Sequence, residues 1–201
     1  MNHLSDSDPD LIRSTIAGDQ AAFQIFVERY QKPIFSYLYR FLYQNREAAE
    51  DIAQTVFLKI YQNLNSIDPE KPIASWVFRI AHNEAANYLR TVSRRRESLM
   101  DDERWSKIAD RKDRIGNSEE EEYSDLIQRA LKKIKPQYRE VIVLFYFEEK
   151  SYKEIATILN SSTNTVGTLV RRAKQQLKKI LERMAPDLAS LLMTLLALRQ
   201  G

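Results

Sequence analysis

The chain has 201 residues, a formal net charge of +3 and a pI near 9.0, and 43% of it is hydrophobic with only four glycines and six prolines. That is long enough for one domain or two small ones, too apolar for global disorder and too poor in turn formers for a sheet protein. The absence of cysteine removes disulfides, thiolate metal sites and thiol nucleophiles, and fits a reducing compartment.

Other classes are excluded by what is missing or scattered. The acidic, polar start MNHLSDSDPD has no apolar core behind basic residues, and no apolar run approaches the roughly 20 residues that cross a bilayer. A soluble, cytoplasmic chain with no membrane insertion is expected. Two histidines, His3 and His82, and glycines at 18, 116, 167 and 201 offer neither a catalytic inventory nor a phosphate loop. No enzyme, cofactor or metal site is expected. The pair Glu148-Glu149 reads as a solvated helix end, and His82 as a DNA contact or a packed core residue.

In chain order, Asp8-Pro9 predicts a helix start with Asp8 as cap and Gly18 as its end. Asp19 caps a second helix whose Phe26, Val27 and Tyr30 face inward, with a junction or kink expected at Pro33. The aromatic run that follows must be largely buried. Arg46 to Leu64 predicts a third helix, with Ile52, Val56, Ile60 and Leu64 repeating every four residues and Ala49, Ala53, Phe57 and Tyr61 flanking them. On its other side Asp51, Gln54 and Leu58 share a face, and a leucine among polar residues suggests a contact patch for a partner. Asn65 to Ser75, with two prolines, predicts a loop.

Trp76 to Arg96 is the most informative stretch. Trp76, Val77, Ile80, Ala81, Ala85, Tyr88 and Leu89 form a buried stripe at three- and four-residue steps. Arg79, Asn83, Asn87, Arg90 and Arg94 line up on another side with no carboxylate among them. Asn both donates to and accepts from a base edge, and Arg reaches bases or phosphates. The run closes on Arg94-Arg95-Arg96, which points to a nucleic acid.

Residues 97–122 are charge-dense and poor in apolar periodicity and predict a linker, with Trp105 either anchoring it to something or packed locally. Tyr123 to Ile134 is amphipathic through Leu126, Ile127, Ala130, Leu131 and Ile134, and Pro136 breaks it. Gln137 to Glu148 predicts a short helix, apolar on most sides, at the centre of a separate small core. Ser151 with Glu154 forms a capping box ahead of Ile155, Ala156 and Leu159. Asn160-Ser161-Ser162 turns the chain, and Thr163 or Asn164 opens a longer helix with Val166, Leu169, Val170, Ala173 and Leu177 inward. Two helices joined by a tight turn, the second rich in Arg171, Arg172, Lys174, Lys178 and Lys179, predict a helix-turn-helix. The tail carries Leu188, Leu191, Leu192, Leu195 and Leu196 in a stripe that packs on the C-terminal core or on a partner helix. The fold class is therefore all-α, two small helical domains joined by a charged linker.

With these residues in view, the chain resembles the extracytoplasmic-function (ECF) group of the bacterial sigma-70 family over roughly residues 8–182. The resemblance rests on EDIAQTVFLKIY at 50–61, SWVFRIAHNEAANYLR at 75–90 and PQYREVIVLFYFEEKSYKEIATIL at 136–159, in that order and with a charged linker between. It implies a σ2-like domain at 8–96, a linker at 97–122, a σ4-like helix-turn-helix domain at 123–183 and an unassigned tail at 184–201. It implies a sigma factor that brings core RNA polymerase to promoter DNA. Asp51, Gln54, Phe57 and Leu58 would dock on the β′ clamp helices, and the β flap would hold the second domain. Trp76, Arg79, Asn83, Asn87, Arg90 and Arg94 would face the −10 element, where the preceding loop captures a flipped-out base. Thr163, Thr165, Thr168, Arg171, Arg172 and Lys174 would meet the −35 element, with Ser151 and Lys153 at the backbone. Gly167, Thr168 and Leu169 stand where the family often has Lys, Ser and Arg, which unsettles the base contacts there. An anti-sigma protein wrapping both domains is a further implied partner. The alternative to this reading is a regulator using the helix-turn-helix alone, as a dimer on duplex half-sites. A helical adaptor binding protein alone leaves the Arg/Asn face without a task.

Overall fold

The computed structural model describes residues 6–68, 71–98, 119–186 and Thr194. Among the described residues there is no strand, and eight α-helices carry the chain. Trp105, Ile108 and the leucine stripe of the tail lie outside the described residues.

Helix α1 spans Asp8–Ile16 and its cap is Ser7, whose hydroxyl accepts from the Asp10 amide. Asp8, expected as the cap, instead receives Arg29 at 2.5 Å and the Tyr30 hydroxyl from the next helix. Gly18, at φ 97°, ends α1 as expected, its neighbour Asp19 donating back to the Ser14 carbonyl. Asp19 caps α2, Gln20–Phe41, which passes through Pro33 without ending. Of the junction or kink expected at Pro33, the junction is not formed. Phe26 and Tyr30 before the proline and Ile34, Tyr37 and Leu38 after it bury in one core, and that shared burial outweighs one lost backbone bond.

Helix α3, Arg46–Gln62, is followed by a 3₁₀ turn at Leu64–Ser66. Ile52, Val56, Ile60 and Leu64 are buried as their spacing predicts, whereas Tyr61 is half exposed and meets Phe23 edge-on. Helix α4, Ile73–Ser98, starts three residues earlier than its apolar stripe suggested. Val77, Ala81 and Ala85 are buried, and Trp76, Ile80, Tyr88 and Leu89 are partly so. Phe78 and Ser75, outside the predicted stripe, are buried as well. The Lys59–Glu84 ion pair at 2.7 Å ties α3 to α4.

In the second half, α5 spans Glu119–Lys132, so helix begins inside the stretch expected to be linker. Pro136 opens α6, Pro136–Ile142, and the backbone widens into a π-helical turn at Val143–Phe147 where a plain helix was expected. Helix α7, Tyr152–Ile158, carries the complete capping box of Ser151 and Glu154. It closes on Asn160 at φ 49°, with Ser161 donating to Ala156 and Asn160 to Thr157. Ser162 then caps α8, Thr163–Met184, which begins at Thr163 as expected. Val166, Val170, Ala173, Leu177 and Leu181 form its buried stripe, against which α5, α6 and α7 pack.

The two halves touch directly: α7 packs along α4, and α6 with the π-helical turn packs on α2.

Candidate nucleic-acid and polymerase interfaces

Three exposed faces carry the residues singled out from sequence. The first lies on α4. Arg79, Asn83, Asn87, Arg90 and Arg94 are all exposed on one side of the helix, opposite Val77, Ala81 and Ala85. Among the described residues no carboxylate pairs with Arg79, Arg90 or Arg94. Arg90 donates to the Asn87 side-chain carbonyl oxygen at 2.5 Å, which leaves that amide its two N–H donors. Trp76 is only half-buried at the start of the helix, with part of its ring packed on the core and part in solvent. The side chains of Arg95 and Arg96 lie outside the described residues.

The second face lies on α3. Asp51, Gln54 and Leu58 are exposed, Leu58 by 57%, while Phe57 turns partly into the core. Tyr61, one turn further, is 50% exposed and extends the apolar part of this patch. The sequence pattern set Tyr61 flanking the buried stripe of α3. Its i+3 spacing from Leu58 was the signal that it belongs to the same surface.

The third face is the helix-turn-helix. Thr163, Thr165, Thr168, Arg171 and Arg172 are exposed along α8, and Ser151 and Lys153 at the start of α7. Several hydroxyls are already engaged. Ser151 donates to the Glu154 carboxylate at 2.6 Å, Thr168 donates to the Asn164 carbonyl at 3.0 Å, and Thr165 meets the Ser162 hydroxyl at 2.8 Å. A Thr168 hydroxyl that donates to its own helix leaves an acceptor oxygen and a methyl group on the exposed face. Lys174 departs most from its predicted place: it is half-buried with its ammonium 5.4 Å from the Tyr146 ring centroid. Gly167 leaves a recess on this face whose wall is Tyr152, with Cε2 3.6 Å from where a Cβ would stand. Tyr152 itself is 40% exposed and leans on Phe145.

Two carboxyls in this half are shifted, in opposite directions. Burial works upward on Glu154, but the hydrogen bonds from Ser151 and the charge of Lys150 prevail and hold it below the usual glutamate value. Glu148 goes the other way: burial raises it, against the Ser36 hydroxyl and the charges of Arg40 and Lys150. The expectation of Glu148 as part of a solvated helix end is thus corrected, because Ser36 of α2 donates to it at 3.0 Å.

Comparison with known proteins decides the family. Sigma-70 region 2 matches residues 26–95, and Sigma-70, region 4 matches residues 124–177. The ECF RNA polymerase sigma factor SigW of Bacillus subtilis (strain 168) is 35% identical over 180 residues, which cover 84% of this chain and 93% of that protein. The chain belongs to the ECF group of sigma-70 factors. The ECF RNA polymerase sigma-E factor of Escherichia coli (strain K12) is 30% identical over 177 residues, 84% of this chain and 91% of that one. Among solved structures, CnrH in complex with the cytosolic domain of CnrY superposes with a TM-score of 0.68 at 23% identity, covering 90% of this chain and all of that one. The sigma factor RpoE bound to the anti-sigma factor NepR, from Bartonella quintana, gives 0.66 at 20% identity over 80% of this chain. These two share the all-helical fold. The protein is accordingly an RNA polymerase sigma factor that acts in transcription initiation at promoters, and the stand-alone regulator is not favoured.

Proposed function

We propose that this sigma factor divides its work among the three faces. Residues 8–96 bind polymerase and open the −10 element, and residues 123–183 read the −35 element. The α3 face of Asp51, Gln54, Phe57 and Leu58 docks on the β′ clamp helices. The α4 face of Trp76, Arg79, Asn83, Asn87, Arg90 and Arg94 binds the nontemplate strand of the −10 element. Thr163, Thr165, Thr168, Arg171 and Arg172 face the −35 major groove, Ser151 and Lys153 its backbone, and Lys174 the phosphate edge; the β flap holds this second domain.

The observation that carries the proposal is the α4 face. Five Arg and Asn side chains are exposed on one side of a helix whose other side is locked into the core. Such a face presents amide and guanidinium donors at fixed spacing to unstacked bases, which expose their whole hydrogen-bonding edge. Unstacking costs a few kcal/mol, and contacts available only to the open strand offset it, so melting needs no nucleotide hydrolysis. An anti-sigma protein gripping both halves is part of the same reading, supported by the shared fold with RpoE, which was solved in complex with the anti-sigma factor NepR. Action in the cytoplasm follows from the partners.

The test is transcription by purified core polymerase on genomic DNA with and without this protein. Promoter-specific starts that require it, aligned upstream, yield both elements. Tight binding to duplex DNA by the protein alone, with no new starts, would refute the division of work.

A further inference from the structure

The part of α8 that a helix-turn-helix sets against base edges carries no charge. Its first two turns, Thr163 to Val170, read TNTVGTLV, and the first cations are Arg171 and Arg172. In such motifs the N-terminal residues of the second helix meet the bases. Guanine is read most often by a bidentate Arg or Lys, so these turns lack the usual reader of a G·C pair. They offer instead the Asn164 amide, three threonines and a gap in the side chains at Gly167.

That gap has a definite size and wall. Asn164, Gly167, Thr168 and Arg171 share one face of α8, opposite the buried Val166, Val170 and Ala173. The backbone at 167 is ordinary helix with no positive φ, so what glycine supplies there is space. A Cβ at 167 would stand 3.6 Å from Tyr152 Cε2 and 3.9 Å from Cδ2, both ordinary contact distances. The recess therefore holds one methyl-sized group against an aromatic ring. Its wall is braced from behind: Tyr152 lies 5.1 Å from Phe145 between centroids, and Phe145 meets the buried Tyr146 edge-on at 5.0 Å.

The chemistry of the recess selects its occupant. Helix backbone and tyrosine ring carbon carry no charge, which gives a phosphate nothing to bind, whereas Arg171 and Arg172 stand ready for phosphates further along the helix. Among the groups that base pairs present in the major groove, the apolar one is the C5-methyl of thymine. Glycine is also the residue that lets a backbone come closest to a ligand.

We propose that the recess between Gly167 and Tyr152 receives the C5-methyl group of a thymine in the −35 element, so that this factor selects an A·T pair at that step. The proposal rests on the assignment of α8 to the −35 groove. Tyr152, which is outside the contacts assigned above, becomes a specificity-determining residue, and Gly167 is the position that admits the base. The missing side chain at 167 then changes which base is read, where from sequence it only unsettled the contact.

Deoxyuridine pairs as thymidine does and lacks only the methyl group. Holoenzyme formed from core polymerase and the full chain is titrated against promoter duplexes taken from its mapped starts, with each −35 thymine on either strand replaced singly by deoxyuridine. At one position the replacement is expected to weaken binding about fourfold, the effect of burying one methyl group. That loss should disappear in Gly167→Val, which fills the recess, and in Tyr152→Ala, which removes its wall, and should persist in Tyr152→Phe, which keeps the ring. Urea unfolding establishes that each variant is folded, and Gly167→Val decides alone if Tyr152→Ala is not. An element without thymine, no methyl effect at any position, or one that persists in a folded Gly167→Val or Tyr152→Ala protein overturns the recess. Arg171→Ala on the unmodified duplex separates this from the reading beneath it. Weaker binding by Arg171→Ala without a recess-dependent methyl effect overturns the recess and leaves α8 in the groove. Undiminished binding without such an effect overturns both.

Discussion

Asn83 and Gly167 show how much a single position on a reading face can decide. Asn83 is exposed and owes nothing to the core, so Asn83→Ala is expected to leave unfolding unchanged. If its amide reads a base, the lost pair is worth about 1–3 kcal/mol. Open-complex formation should fall roughly tenfold or more, with affinity for core polymerase intact. Equal loss of both would remove Asn83 from the −10 face. Gly167 was legible as a helix-weakening residue, but not the reason it is tolerated: the open space beside it is walled by the Tyr152 ring at ordinary contact distance. Gly167→Ala should therefore add about 0.5–1 kcal/mol of stability, read by urea unfolding. A lower stability would mean that the recess cannot take even a methyl group.

At the scale of elements, caps and stripes were the most legible features. Ser151 with Glu154, Asp19 and Gly18 each sit where their chemistry requires, because a cap needs only atoms within a few residues of itself. Ser151→Ala should cost about 1 kcal/mol of stability. The pH dependence follows from Glu154, whose carboxyl is held below the usual 4.5 in the folded chain. Its contribution is present above 4.5 and is lost as the pH falls through the lowered value. Acid titration of thermal unfolding should show that loss in the native chain and not in Glu154→Gln. On α3 the exposed leucine is the feature to test. Leu58→Ala should weaken core polymerase binding by roughly ten- to thirtyfold without changing the unfolding temperature, as measured by competition with a second sigma factor. A junction at Pro33 and a plain helix at 143–147 were expected at this scale and are not found, since each is settled by burial in the assembled core and not by local preference.

At the scale of the whole molecule the deciding fact is that the halves dock. Glu148 belongs here, because the groups around it come from both halves: Ser36 and Arg40 of α2, with Glu149 and Lys150 beside it, and the Glu140–His82 pair nearby in the same seam. Burial raises its carboxyl above 4.5, so its contribution to docking is complete below that value and is lost as the pH climbs through the raised one. Glu148→Gln should hold the halves together more firmly at neutral pH. The part of the pH dependence of interdomain energy transfer that belongs to Glu148 should vanish with it. An unchanged profile would show that the half-buried carboxyl does not govern docking.

The sequence by itself determined the all-helical class, most helix ends, the inward stripes and the exposed Arg/Asn face of α4. All of these follow from periodicity and local hydrogen bonding, which act over a turn or two of backbone. The family was legible for the same reason, in three ordered segments. Only the tertiary structure decided that Lys174 turns over Tyr146 and that Glu148 is half-buried beside Ser36. Only it brought Glu140 to Tyr37, 103 positions away. A buried Arg139-Glu140 pair inside the apolar run QYREVIVLF was the one trace of that seam in the sequence, and it named no partner. Charge in an apolar segment says that a partner must exist, while its identity depends on which helices pack together.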